Sequence, residues 1–261
     1  MSDLRSKNKN DLLLAIDERA FPLREHLALY LTKPEIRREP VLFPSTDPDA
    51  PDNLATHLYG TVLKEGDLFR IWYYAVHKVG DEGGIGVSPV SYAESDDGEN
   101  WTRPHLGQVE WKGSRDNNLI ALGPDPTEAC SGVSVLRDDE DPDSARRYKM
   151  VYGKQLPAEF KAKLGVDRRW VVRTATSPDG INWTEQDGLV SGDKFAELSS
   201  FYKHNGLYIV NSHVSSRGEG DQPEGRQGYA WVSTDFKHWL SESAPSFRTA
   251  EPTEGAGWGT H

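Results

Sequence analysis

The stretch Ser95-Asp96-Asp97-Gly98-Glu99-Asn100-Trp101 decides the fold, because the chain contains it again as Ser177-Pro178-Asp179-Gly180-Ile181-Asn182-Trp183. A third copy, Ser233-Thr234-Asp235-Phe236-Lys237-His238-Trp239, keeps Ser, Asp and Trp and loses the Gly. The pattern describes a tight turn. Ser and Asp side chains bond nearby backbone N–H groups, Gly supplies a positive φ, and the Trp folds back as an apolar plug between sheets.

Working outward, each turn follows a short β-prone run, at 90–93, 171–175 and 229–232. Longer β-prone runs lie further upstream, at 68–74, 148–152 and 207–210. Each of these follows a turn signal: Glu65-Gly66-Asp67, the acidic run 137–144, and the hairpin sequence His204-Asn205-Gly206. Partner strands precede them at 59–63, 132–136 and 198–202. Each unit therefore reads strand, hairpin, strand, loop, strand, turn with Trp, which is most of a four-stranded propeller blade. The strand openings fall at His57, Glu128, Glu197 and His261, about 64 to 71 residues apart.

The expectation is an all-β chain, a single β-propeller domain over 1–261 with about three blades and the start of a fourth. Residues 1–43 supply N-terminal strands and loops, broken by Pro22, Pro34 and Pro40. Blades cover 44–110, 111–190 and 191–250, and 251–261 opens the next. Because a propeller must close to remove its sheet edges, the chain is read as an N-terminal portion of a longer protein. A β-sandwich that reuses the same turn is the alternative.

Composition narrows the function. The formal charge of −11 opposes binding to nucleic acid or to anionic membrane surfaces. A single cysteine, Cys130, precludes an internal disulfide. No apolar stretch has the length of a signal peptide core or a membrane span, so the cytoplasm is the expected compartment. Asn100-Trp101-Thr102 and Asn182-Trp183-Thr184 match the glycosylation pattern but are read as parts of the turn. No phosphate-binding glycine loop, Cys-x-x-Cys pair, His-Glu-x-x-His or Gly-x-Ser-x-Gly motif occurs, so neither cofactor nor metal is expected. The run Asp138-Asp139-Glu140-Asp141-Pro142-Asp143 lacks the glycine of a calcium loop and is read as a solvated hairpin tip.

The string Tyr92-Ala93-Glu94-Ser95-Asp96-Asp97-Gly98, with Trp101, Pro104, Leu106 and Gly107, precedes Gly113-Ser114-Arg115-Asp116-Asn117-Asn118-Leu119-Ile120. Together with Arg147-Tyr148-Lys149-Met150 and Ala175-Thr176-Ser177-Pro178-Asp179-Gly180, it resembles the five-bladed propeller glycosidase superfamily. This is the group of invertases, levansucrases and arabinanases, glycoside hydrolase families 32, 68 and 43. The resemblance spans roughly 41–240. The turn also resembles the Asp-box of sialidases, one residue shorter between Ser and Gly. Such a resemblance implies five blades, a carbohydrate substrate, and a site in the central funnel. It also implies three acids there: a nucleophile or base, a transition-state stabiliser and a general acid.

Glycoside cleavage needs one carboxylic acid to protonate the leaving oxygen and one carboxylate to attack or to activate water. Glu128 and Glu197 occupy equivalent strand-opening positions in neighbouring blades, which would turn both towards one axis. Glu197, flanked by Phe195, Ala196 and Leu198, is expected to be the proton donor, and Glu128 the base or stabiliser. Asp116 is the third acidic candidate, with Arg115 and Asn117 as partners for sugar hydroxyls. His57 stands where the superfamily pattern would place an Asp. It joins His213 and His261 as a substrate-binding candidate. The expected activity is that of a glycoside hydrolase or transglycosidase acting on a furanoside or short oligosaccharide. A non-catalytic carbohydrate-binding propeller is one alternative, and a His-metal enzyme built on His57 and His261 is another. Oligomeric state is not legible.

Overall fold

The computed structural model describes residues 25, 30, 32–80, 84–155, 162, 170–190, 197–217, 224–240 and 244–248. At 197–199, 214–217, 224–226 and 244–248 it describes the backbone alone. The chain divides into two compact units, Met1–Pro40 and Val41–His261. Everything below concerns the second. Residues 251–261, expected to open a fourth blade, lie outside the described residues.

Three antiparallel four-stranded sheets follow one another. The first contains β1 (Ala55–Glu65), β2 (Leu68–Val79), β3 (Gly84–Val87) and β4 (Ser91–Ser95). Here β1 lies along one edge of β2, while β4 pairs with its first half and β3 with its end. The second sheet runs β5 (Cys130–Arg137), β6 (Tyr148–Gln155), β7 (Trp170–Ser177), β8 (Thr184–Glu185) in chain order. The third runs β9 (Glu197–His204), β10 (Leu207–Arg217), β11 (Glu224–Ser233), β12 (Ala244–Arg248). These are the three blades expected from the repeat.

The first strands of the blades are neighbours: β1 packs beside β5, and β5 beside β9. The Val135 N–H donates to Thr61 Oγ1 at 2.9 Å, tying the second halves of β5 and β1 together. Their opening ends therefore lie on the same side. Gly60 permits the irregularity between His57 and Thr61, since a Cβ there would lie 2.0 Å from the Trp72 carbonyl oxygen.

Blade faces are buried by strict alternation. On β6, Met150 and Tyr152 join Trp72, Tyr92, Ile120, Val133 and Val135 in a core between blades 1 and 2. Val151, one residue away, joins Tyr208, Val210, Trp231 and Phe236 in a core between blades 2 and 3. Trp183, the plug of the second turn, stands edge-on to Trp72 with centroids 6.5 Å apart.

The repeated turn closes on itself. Ser177 Oγ accepts from Gly180 N at 2.8 Å, and Asp179 Oδ1 accepts from Ile181 N (2.9 Å) and Asn182 N (2.8 Å). The Asn182 amide donates to Asp179 Oδ2 at 2.7 Å, and Trp183 Nε1 to the Gly180 carbonyl at 2.9 Å. The turn at Ser95 repeats every one of these bonds, Asn100 holding Asp97 as Asn182 holds Asp179. In the third turn Phe236 takes the glycine's place at φ 61°, and its buried ring packs against Phe201, Tyr208 and Trp239. Side-chain donors of the preceding blade then reach the turn: Arg70 Nη2 donates to the Asp179 carbonyl (2.6 Å), Trp72 Nε1 to that of Gly180 (2.8 Å), and Arg146 Nη2 to that of Asp235 (2.7 Å).

The acidic run after β5 is a solvated tip only in part: Asp139, Glu140, Pro142 and Asp143 are exposed, and Asp138 and Asp141 turn inward, which corrects the sequence reading for those two. Asp138 is buried and binds Tyr208 OH (2.5 Å), Lys203 (2.9 Å) and the fully buried Lys149 (3.0 Å). Lys149 also pairs with Asp141 at 2.9 Å. Burial alone would raise the Asp138 pKa, but these donors hold it well below the ordinary aspartate range. Two acids of the run thus meet a lysine of the same blade, and one of them joins that blade to the next.

Burial also acts to raise Asp179, yet the donors of Ile181, Asn182 and Ser177 bring it down to about 2. The turn's contribution is therefore present above the unfolded aspartate value and lost as pH falls from about 4 towards 2. Asp179→Ala is expected to cost about 1–2 kcal/mol at neutral pH. It should also flatten the acid limb of stability over that window, as read by urea denaturation at a series of pH values.

Candidate active site

Glu128 ends a short turn that leads into β5, with its N–H directed at the Asp125 carbonyl at 3.5 Å. Asp125 Oδ1 accepts from Thr127 N and Oγ1, which fixes the turn. Opposite the opening residue Cys130 lies Lys154 of β6, which is 2% exposed. Its ammonium donates to the Leu122 carbonyl at 2.8 Å and meets Glu185 Oε2 at 3.3 Å and Glu128 Oε2 at 3.5 Å. Glu185, on β8, also receives Arg173 at 2.7 Å and the hydroxyl of Tyr152. Gly123, at φ +72°, allows the chain to pass over this cluster, since a Cβ there would stand 2.6 Å from Lys154 Nζ.

Burial raises the pKa of Glu128; the nearby charges of Asp125 and Glu185 add to the rise, and Lys154 opposes it. Burial likewise pushes the Cys130 thiol up to about 12, which leaves it protonated and unreactive at neutral pH. Glu128 is thus a partly buried carboxyl at the opening of an innermost strand, held by one shared cation.

His57 is exposed near the opening of β1. Its ring lies 6.3 Å from that of Tyr59 at 19°, and Tyr74 meets it edge-on at 5.7 Å. Tyr59 is 56% exposed. Glu197 opens β9 and is the cross-strand partner of His213 on β10. The side chain of Glu197, and all of His261, lie outside the described residues.

Asp116 stands elsewhere. With Asn117 it lines a cleft of about 380 Å³ between segments 45–52 and 103–118 of blade 1. Its carboxylate contacts His105 Nδ1. Asn117 is turned inward, donating to the Val109 and Ser114 carbonyls at 2.9 and 3.2 Å. Arg115 bonds the Gly107 and Gln108 carbonyls at 3.4 and 3.0 Å on the exposed side of the loop. The cleft also contains Asp52, a buried carboxylate. The described lining of this cleft includes neither Glu128 nor His57. The structure therefore sets His57, Glu128 and the Glu197 backbone at the openings of neighbouring strands and places Asp116 apart from them.

The residues that sequence reasoning missed are Lys154, Glu185 and Arg173. One signal was available. A lysine inside a strand that is otherwise buried on both faces requires a carboxylate partner.

Comparison with solved structures now has a geometry to attach to. The chain is similar to a protein of the glycoside hydrolase 130 family of mannoside phosphorylases, a family containing hydrolases that target β-1,2-mannosidic linkages in Candida mannan. The TM-score is 0.55 at 14% identity, with 87% of this chain and 64% of that one covered. It is also similar to the β-1,2-mannobiose phosphorylase of Listeria innocua in complex with β-1,2-mannobiose, with a TM-score of 0.51 at 14% identity over 82% and 51% of the two chains.

The fold is a β-propeller.

The first of these neighbours is described under family 130, where the sequence resemblance pointed to 32, 68 and 43. The chain spans 51% and 64% of their own lengths. No family model and no curated protein matches the sequence.

Lys154→Met removes the one charge that opposes proton retention at Glu128. Carboxyl NMR titration is expected to show Glu128 titrating at higher pH than in the wild type. Global stability should fall by about 3 kcal/mol, because two carboxylates lose a buried cation.

Proposed function

We propose that this chain forms part of a glycoside hydrolase or transglycosidase acting on a furanoside or short oligosaccharide, with Glu128 and Glu197 as its two working carboxyls. The observation that carries this reading is the raised proton affinity of Glu128 at the opening of β5, beside the strand that Glu197 opens. A general acid must hold its proton near the working pH and lie within reach of the leaving oxygen. Burial shifts Glu128 in that direction, so in this reading the roles expected from sequence are exchanged: Glu128 donates the proton, and Glu197 serves as nucleophile or base. Lys154 then positions Glu128 through their 3.5 Å contact and stabilises the carboxylate formed when the proton leaves. The fold shared with a mannobiose phosphorylase supports a carbohydrate substrate by analogy of fold, not by identity of site.

A specific observation favours a second reading, a carbohydrate-binding propeller without catalysis. His57 takes the place of the first blade's acid, and beside it Tyr59 offers an exposed ring of the kind on which sugars stack.

A panel of chromogenic furanosides and pyranosides, assayed with and without inorganic phosphate, separates the readings. Glu128→Gln and Glu197→Gln are each expected to lower kcat/KM by about 10³-fold or more. With Glu128 as the acid, the alkaline limb of the wild-type kcat/KM profile should lie above the ordinary glutamate range, since activity is lost as this carboxyl gives up its proton. Unchanged turnover in Glu128→Gln would sink the assignment. Binding without turnover across the whole panel would favour the second reading.

A further inference from the structure

The cleft on blade 1 contains an unsatisfied acceptor. Asp52 is 0% exposed, and its Oδ2 takes the Tyr73 hydroxyl at 2.8 Å and Arg103 Nε at 2.7 Å. Its Oδ1 has no hydrogen-bond partner. A buried carboxylate oxygen without a donor costs more than about 1–3 kcal/mol, the penalty for a neutral group. Asp52 is one of the residues that line the cleft, and a hydroxyl brought there would supply the missing donor.

The surroundings of Asp52 are built and held. Arg103 also donates to the Phe43 carbonyl, and Asn118 donates to Tyr73 OH at 2.9 Å and to the Tyr92 carbonyl at 2.7 Å. Trp111 donates to the Asp49 carbonyl at 3.0 Å, and Lys112 reaches Asp49 Oδ1 at 3.3 Å, so the two loops that form the walls are cross-tied. The volume of about 380 Å³ falls within the range of small-molecule sites.

The chemistry of the lining restricts the occupant. Among the described residues, no three His, Cys, Asp or Glu side chains gather in a way that could hold a metal ion. Four lining carboxylates, Asp47, Asp49, Asp52 and Asp116, face two lasting cations, Arg103 and Lys112, which disfavours an anion. A ligand rich in O–H donors and carrying no charge satisfies Asp52 Oδ1 and suits an indole wall at Trp111.

Strand alternation places this cleft on the face of blade 1 opposite the one that packs against blade 2. Trp72 faces blade 2, and Tyr74, two residues on, shares its face together with its cross-strand partner His57. Tyr73 lies on the opposite face with Ile71 and Ala75, and it is Tyr73 that holds Asp52. We propose that the cleft is a second carbohydrate-binding site, in which Asp52 Oδ1 accepts a hydroxyl of a neutral mono- or disaccharide. This site goes beyond the catalytic reading and does not depend on Glu128 or Glu197.

The test is a titration of the labelled protein with D-mannose, L-arabinose, D-galactose and β-1,2-mannobiose, following the side-chain N–H resonances of Trp111 and Arg103. At least one sugar is expected to shift both saturably. Asp52→Asn should weaken that binding at least tenfold. Should Asp52→Asn fail to fold, Ala50→Trp, which fills the cleft and leaves the bonds of Asp52 in place, is expected to abolish the shifts. The proposal is overturned if none of the four sugars moves these resonances. It is equally overturned if a folded Asp52→Asn, or Ala50→Trp, binds as the wild type does. Because the resonances report the cleft, the outcome stands apart from any loss of activity at Glu128 or Glu197.

Discussion

Everything in this structure depends on a hydrogen bond that crosses from one blade to the next: Arg70 on β2 donating to the Asp179 carbonyl, with Trp72 donating to that of Gly180. The Ser177–Asp179 pair satisfies the turn's own N–H groups, so its carbonyls are left to point outward. A buried carbonyl must find a donor. The donor comes from the preceding sheet, and the register of one blade against the other is fixed at that point. Gly180 is required there twice over, by its φ of +78° and by Arg70 and Trp72, which would stand 2.9 Å from any Cβ. Where the third turn puts Phe236 instead, no Trp72 equivalent presses on it, and the cost of the left-handed backbone is offset by a fully buried ring.

This arrangement explains why the fold was legible. The turn is a local device of seven residues, and its Ser, Asp, Gly, Asn and Trp each have a polar or steric task that composition reveals. The hairpins at Gly66 and Gly206 are local in the same sense. The split edge of blade 1 was not legible. β2 is 12 residues long, and two short strands share its far side. The glycines around 80–86 carry no alternation that would announce β3. The acidic run at 138–143 was misread in part, for a complementary reason. Asp138 and Asp141 look as solvated as their exposed neighbours until Lys149 from the facing strand and Lys203 and Tyr208 from the next blade arrive. Long-range charge pairing leaves no mark on local sequence.

The candidate site divides along the same line. Equivalent register in the repeat was enough to bring His57, Glu128 and Glu197 to the openings of adjacent strands. The partner that governs Glu128 could not be read, because Lys154 is 26 residues away and reaches it only through the β5–β6 pairing. Asp116 was grouped with the glutamates on the strength of its loop motif. In three dimensions the loop folds back over blade 1, and Asp116 meets His105 instead. A motif specifies its own turn and leaves open which sheet face that turn will cover.

The behaviour of Glu128 follows from a shortage of cations, in keeping with a chain of net charge −11. Two carboxylates, Glu128 and Glu185, share Lys154. Glu185 has Arg173 at 2.7 Å and the Tyr152 hydroxyl besides, and its contact with the lysine is the shorter one, 3.3 Å against 3.5 Å. The lysine in turn commits a proton to the Leu122 carbonyl. Glu128 is left with the least compensation for its burial, so desolvation prevails there. One lysine shared unequally between two carboxyls therefore leaves burial as the largest influence on Glu128, and the charges of Asp125 and Glu185 push its proton affinity the same way.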